Sequence, residues 1–172
     1  MKKTAASLFA LAVLAAGPAR AATLAQDTQE LRLQGHLDPS TLNGSEIRLG
    51  GSYGYFFLDN IQAGGRADFA DNDQISSLGL GAFLEYNVDT GNEIMPFGEF
   101  LAGFSNVDVE GAGGDDLAGR VELRAGAKFF LAENIAIAVA GVFAYATEKI
   151  YPDENQLRDT DVFMELSLRC YF

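Results

Sequence analysis

The chain has 172 residues, with 12 basic against 24 acidic side chains, a formal net charge of −12, 19 Gly, 13 Phe, 6 Tyr, no Trp and a single cysteine, Cys170. An acidic excess of that size excludes nucleic acid as a partner, because neutralising phosphates needs a basic surface. One cysteine excludes an intramolecular disulfide and a cysteine-rich metal site, so stability has to come from architecture, and abundant Gly and aromatics with no helical apolar run after the leader point to β-structure.

The order Met1-Lys2-Lys3-Thr4, an apolar stretch from Ala5 to Gly17, then Pro18-Ala19-Arg20-Ala21 is the charged, apolar, small-residue order of a secretory signal peptide. The apolar run is well short of the roughly 20 residues with which a helix crosses a bilayer, which argues against a membrane anchor. Cleavage is expected after Ala21 or Ala22, with no Cys nearby for a lipid anchor. The expected organisation is a cleaved leader over 1–22 and one domain over 23–172. Losing Lys2, Lys3 and Arg20 leaves 9 basic against 24 acidic residues, a mature net charge of −15.

From Gln29 onward apolar and polar or small residues alternate in eight segments, the period of a strand whose two faces meet different media. The first, Gln29 to Leu37, sets Leu31, Leu33 and Leu37 against Glu30, Arg32, Gln34 and His36. The second, Glu46 to Leu58, sets Ile47, Leu49, Tyr53, Tyr55 and Phe57 against Glu46, Arg48, Gly50, Ser52 and Gly54. The third opposes Ala63, Ala67 and Phe69 to Gln62, Arg66 and Asp68, and the fourth opposes Leu78, Leu80, Leu84 and Tyr86 to Ser77, Gly79, Gly81 and Glu85. The fifth is weaker: Phe100, Ala102 and Phe104 oppose Glu99, Leu101 and Gly103, and Pro96 suits a strand end. The sixth is the cleanest, Val121, Leu123, Ala125, Ala127 and Phe129 alternating with Glu122, Arg124, Gly126 and Lys128. In the seventh, Ile135, Ile137, Val139, Phe143 and Tyr145 face away from a row of alanines. The eighth alternates Val162, Met164, Leu166, Leu168, Cys170 and Phe172 with Phe163, Glu165, Ser167, Arg169 and Tyr171.

The connections alternate in length. Asp59-Asn60, Asp89-Thr90-Gly91-Asn92 and Ala132-Glu133-Asn134 are tight; Asp38 to Ser45, Asn106 to Asp116 and Glu148 to Arg158 are long, and Asp71-Asn72-Asp73 is the short exception on that side. Short periplasmic turns and longer extracellular loops are the parity of outer-membrane barrels. Phe56-Phe57-Leu58-Asp59-Asn60-Ile61 recurs as Phe129-Phe130-Leu131-Ala132-Glu133-Asn134-Ile135, which reads as one hairpin design used twice.

Alternation alone also suits a soluble barrel with its apolar face inward. Segments long enough for a tilted bilayer crossing favour the membrane, as do aromatics near both ends: Phe57, Tyr86, Phe129 and Phe172 toward one rim, Phe69, Phe104 and Tyr145 toward the other. The predicted fold is all-β, a closed eight-stranded antiparallel up-and-down transmembrane β-barrel. Its inward set holds Glu30, Arg32, Glu46, Arg48, Arg66, Asp68, Glu85, Glu99, Glu122, Arg124, Lys128, Glu165 and Arg169, both signs of charge, which in so narrow a lumen have to pair or hold water; the expectation is a salt-bridged polar plug without an open channel.

These features resemble the small eight-stranded outer-membrane proteins of the OmpA/OmpX type, within the broad outer-membrane β-barrel-domain family, over the whole mature chain. The resemblance is most specific in the last strand, where Glu165, Ser167, Cys170 and Phe172 stand at the positions of the family's assembly signal; Ser167 replaces the usual Gly and Cys170 a bulky apolar residue. It implies an outer-membrane location, contact with lipid and lipopolysaccharide, and recognition of the final strand by the barrel assembly machinery.

For function, the expectation is a structural or surface-interaction barrel whose loops Asn106 to Asp116 and Lys149 to Arg158 meet host or cell-surface ligands. No loop has a metal-ligand spacing and no cofactor is implied. A lipid A-modifying enzyme is the alternative, since such chemistry needs a nucleophile and a base, and the one histidine, His36, falls on the inward face without a demonstrable partner. No residue is therefore assigned a catalytic role. A narrow pore for small solutes is the third reading, weakened by a lumen only wide enough for side chains.

Overall fold

The structure is a computed structural model that describes residues 24–41, 44–71, 75–109, 115–153 and 156–172. The leader expected over 1–22, the tips 72–74 and 110–114, and the side chains of His36, Glu46, Asp108, Asp115 and Asp116 lie outside the described residues.

The alternating segments form β1 (Gln29–Thr41), β2 (Gly44–Leu58), β3 (Ile61–Asp71), β4 (Ile75–Asn87), β5 (Ile94–Val109), β6 (Asp115–Ala132) and β7 (Ile135–Ala146). A small hairpin, β8 (Tyr151–Asp153) and β9 (Gln156–Arg158), precedes the last barrel strand, β10 (Thr160–Tyr171). β1 to β7 and β10 close one barrel in which chain neighbours pair antiparallel. β10 returns to β1 from Glu30↔Tyr171 to Gly35↔Leu166, and Gln29 and Phe172 exchange backbone bonds of 2.8 and 3.0 Å. Closure leaves the barrel strands no unpaired edge below that seam.

Which face meets which medium is now settled by burial. Leu33, Leu80, Phe104 and Val162 are 58, 60, 62 and 74% exposed, whereas Arg32, Glu85 and Lys128 are fully buried. A water-soluble barrel would reverse that order, so the outer face is the lipid-facing one. The ten residue steps from Val162 to Phe172, at about 3.3 Å each and a tilt of about 40°, cover about 25 Å, the height of the apolar band of outer-membrane barrels. Phe57, Tyr86, Phe129 and Phe172 lie exposed at one rim and Phe69, Phe104 and Tyr145 toward the other. At the first rim Tyr53 donates to Gln29 Oε1 (2.7 Å) and Tyr55 to Asp27, each ring placing its hydroxyl where the polar interface begins.

The turns at this rim follow local chemistry. Asn60, at φ +63°, takes the left-handed position of the two-residue β2–β3 turn, which asparagine tolerates. In the β4–β5 turn Gly91 sits at φ +67° and donates its N–H to Asp89 Oδ1 at 2.8 Å. Each repeated Phe-Phe-Leu motif carries a register shift, between Phe56 and Leu58 and between Phe130 and Ala132. They are not in the same phase, however: Phe56 and Phe130 point inward while Phe57 and Phe129 point out, because Ala132 adds one residue before the second turn.

At the opposite rim two expected long loops are largely strand. Asp38 pairs with Glu46 and Thr41 with Gly44, and Asp108 pairs with Asp115. Beyond the bilayer both faces of a hairpin meet water, so pairing continues after the apolar alternation that marked it has ended.

Inside, the alanine face of β7 is explained by its neighbours. Ala136 lies opposite Arg169 of β10, and Ala138 opposite Lys128 of β6. Small side chains on one strand leave the lumen volume to long charged ones on the strands flanking it. The floor is apolar: Leu24, Phe56, Met95, Phe130, Ala136 and Tyr171 cluster, with the Phe130 and Tyr171 ring centroids 5.5 Å apart. Leu24 reaches that site because its carbonyl accepts from Asn60 N (2.8 Å) while Asp27 N donates to Phe56 O (2.8 Å).

Candidate functional site

Above the aromatic floor the lumen is a column of ion pairs, built from side chains that alternation turns inward. Lys128 Nζ stands over the rings of Tyr171, Phe97 and Phe56 at 5.5, 5.6 and 5.9 Å and contacts Glu85 Oε1 (2.7 Å) and Glu30 Oε2 (3.3 Å). The same two carboxylates receive Arg169 (2.6 Å to Glu85, 3.3 Å to Glu30) and Arg32 (2.9 Å to each). Gln62 Nε2 donates to both, at 2.7 and 3.1 Å. This lower layer contains three cations and, with Glu99, three carboxylates.

Glu99 joins it to the next layer, accepting from Arg32 Nη1 at 2.5 Å on one oxygen and from Arg124 on the other. Arg124 also donates to Glu122. Arg66 bridges Glu165 (3.1 Å) and Asp68 (3.2 Å), and Arg120 binds Asp68 as a fork, 2.7 and 2.6 Å to its two oxygens. A bidentate guanidinium–carboxylate pair combines charge with fixed geometry. At the mouth Arg48 contacts Asp161 at 3.0 Å and lies over Phe163 at 4.8 Å.

Of the residues expected in the interior network, Arg32, Arg66, Glu85, Glu99, Glu122, Arg124, Lys128, Glu165 and Arg169 are buried among these contacts, and Arg48 is half-buried at the mouth. Sequence reasoning missed Arg120 and Asp161. Arg120 shares the parity of Glu122 and Arg124, but it precedes Val121, the first apolar residue of the alternating segment. Asp161 lies one residue before Val162 for the same reason. Among the described residues the lumen counts seven cations and seven anions, so the column is neutral.

Over the column, Ile150 and Tyr151 turn into the barrel mouth and pack with Val107, Ala118, Ala144 and Ala146, partly covering a cavity bounded below by Glu122 and Glu165. Burial, reinforced by Glu122, pushes the Tyr151 pKa up, so its hydroxyl stays protonated at neutral pH. Of the four expected assembly-signal positions, Glu165 and Ser167 are buried in the lumen, Cys170 is half-buried and Phe172 is exposed on the outer face. Among the described residues no group of His, Cys, Asp and Glu is arranged to hold a metal ion.

In sequence, no curated protein matches this chain. In structure it is similar to the N-terminal β-barrel domain of OprF from Pseudomonas aeruginosa (TM-score 0.67, 16% identity, 86% of this chain and 98% of that one). It is also similar to Neisserial surface protein A (0.59, 16%, 84% and 95%) and to the outer membrane enzyme PagL (0.51, 18%, 83% and 98%). At those identities the likeness is one of fold. The family model of the outer membrane protein β-barrel domain matches residues 7–169. With an apolar exterior, a charged lumen and a match over nearly the whole length, the protein resides in the outer membrane and belongs to the outer membrane protein β-barrel domain family.

Proposed function

We propose that this chain is a non-enzymatic envelope barrel, whose role is structural and whose surface hairpins contact other cells or host factors. The observation that carries the reading is the ion-pair column, which occupies the lumen from Lys128 to Arg48 with paired charges. Eight strands enclose only enough room for side chains, so a filled lumen supports a plug over a wide pore. Planar-bilayer recordings of pure, folded protein test it: the expected trace has no stable, sizeable conductance, and a uniform step would establish the pore instead. Cell-binding assays comparing the full chain with one in which residues 149–158 are replaced by a Gly-Ser linker test the surface role; unchanged binding would remove that hairpin from it.

A leader ending near residue 22 is supported by the burial of Leu24 in the barrel floor, which fixes the chain two residues later. Recognition of β10 by the assembly machinery is supported by its outward row of Val162, Met164, Leu166 and Phe172. The enzyme reading rests on His36, whose side chain lies outside the described residues. Lipid A whose mass changes on expression, and reverts with His36→Ala, would replace the structural reading.

A further inference from the structure

After β7 the chain turns back over the barrel mouth. Residues 147–150 belong to no strand; Glu148 and Lys149 face solvent, whereas Ile150 and Tyr151 point inward and are only 9 and 6% exposed. Their seat is made of small inward residues, Ala118 of β6 with Ala144 and Ala146 of β7, together with Val107 of β5. The Tyr151 ring lies 5.8 Å from the Arg48 guanidinium, which Asp161 holds at 3.0 Å and which lies over Phe163 at 4.8 Å, so the strap reaches from β6 and β7 to a side chain of β2.

The way this strap is fastened differs from the rest of the barrel. Its ends are pinned by backbone: Thr147 N donates to Gly119 O and Thr147 Oγ1 accepts from Gly119 N, both at 2.9 Å, and Ala146 N donates to Asp159 O at 2.7 Å. Between those pins β8 and β9 form a two-stranded sheet of their own, outside the barrel ladder. Beneath the strap, a space bordered by Ser105, Glu122 and Glu165 leaves about 60 Å³ to water centres, room for about four waters at roughly 10–15 Å³ each. A piece pinned at both ends, seated by two side chains and hollow underneath belongs to the part of a fold that opens before the whole unfolds, and its pinned ends are the hinges. We propose that the strap over residues 148–151 is a lid, hinged at Thr147 and Asp159, whose opening admits water to the space beneath while the ion-pair column below stays closed. Because β8 begins at Tyr151, the lid and the surface hairpin move as one piece.

Thiol labelling of the pure, folded chain in detergent tests this, with trimethylammonium-ethyl methanethiosulfonate as the water-soluble probe and heat-modifiable mobility as the check that each variant is folded. In a Cys170→Ala background, Ser105→Cys places the reporter thiol in the wall of the covered space, where Ser105 is 3% exposed. Glu133→Cys, exposed in the β6–β7 turn, is the reference, and Ser52→Cys, buried opposite Arg32 of the lower layer, reports on the column. Ser105→Cys is expected to react to completion, but about 100-fold more slowly than the reference, as an open state populated at about 1% dictates. Adding Ile150→Ser, which removes an aliphatic side chain from the seat, is expected to speed that reaction at least about tenfold. Ser52→Cys is expected to stay unlabelled with and without Ile150→Ser. A Ser105→Cys that reacts as fast as the reference would show that nothing covers the space, and one that never reacts would show a fixed cap. Either result overturns the proposal, as do a rate unchanged in both folded Ile150→Ser and folded Tyr151→Ala, and labelling of Ser52→Cys in step with Ser105→Cys, which would mean that the whole barrel loosens.

Discussion

Glu85 is the carboxylate on which the lower ionic layer converges: Arg169, Lys128, Arg32 and Gln62 lie 2.6, 2.7, 2.9 and 2.7 Å from its oxygens. Glu85→Gln keeps its shape but leaves three buried cations facing only Glu30 and Glu99. Removing one partner of a buried pair costs about 3–5 kcal/mol, because the stranded charge keeps its desolvation penalty. With a urea m-value of about 2 kcal/mol per molar, the unfolding midpoint in phospholipid vesicles is expected to fall by about 1.5–2.5 M. Adding Lys128→Met restores two cations against two anions and sets a thioether among the rings of Phe56, Phe97 and Tyr171, so the double variant is expected to recover more than half of that loss. Tyrosine fluorescence and heat-modifiable gel mobility read the midpoint. A single variant that loses less than about 1 kcal/mol, or a double variant that is worse than the single, would refute charge compensation as the source of stability.

Gly126→Val is expected to abolish the heat-modifiable band, since a Cβ there would lie 2.2 Å from Val139 O, in a strand that pairing holds in place. Gly141→Ala, whose Cβ would meet nothing nearer than Ala125 O at 4.0 Å, is expected to stay within about 0.5 kcal/mol of the parent in the same urea assay. Leu24→Ala empties part of the barrel floor and is expected to cost about 2–5 kcal/mol, measured by the same midpoint; a shift below that range would show that the segment before β1 is not part of the folded unit. Phe172→Ala is expected to lower the yield of folded barrel in cells while leaving refolding of pure protein in detergent unchanged; equal yields would remove Phe172 from the assembly signal.

The barrel was legible because a strand with lipid on one face and a lumen on the other writes its period into the sequence. β6 is the clearest case, its inward Glu122, Arg124 and Lys128 separated by outward apolar or small residues. Where the medium is the same on both sides the period vanishes, which is why the ends of β1, β2, β5 and β6 read as loops; Arg120, although inward, lies outside the expected strand because the outward position before it is Gly119, which carries no apolar signal. Pairing partners were not legible at all. That Glu99 links Arg32 to Arg124, or that Arg66 spans to Glu165, follows from barrel closure and shear, which set residues far apart in sequence at one height. Leu24 in the floor depends on a turn with Asp27 at φ +72°, a conformation no local pattern announces.

The neutrality of the lumen bears on the rest of the molecule. Of the 12 basic residues in the chain, three belong to the expected leader and seven line the lumen, so the only others are Lys149, just before β8, and Arg158, at the end of β9. Seven of the 24 acidic residues match the lumen cations, which leaves 17 outside the described pairs. Five of these, Asp27, Asp59, Asp89, Glu93 and Glu133, fall at the rim that carries Phe172. In sequence the remaining twelve, Glu46 with them, lie in or beside the connections 38–46, 71–73, 106–116 and 148–159, against two basic residues. Buried charge has to be compensated, and in this chain nearly all the basic residues are used for that. The surface hairpins are acidic as a consequence.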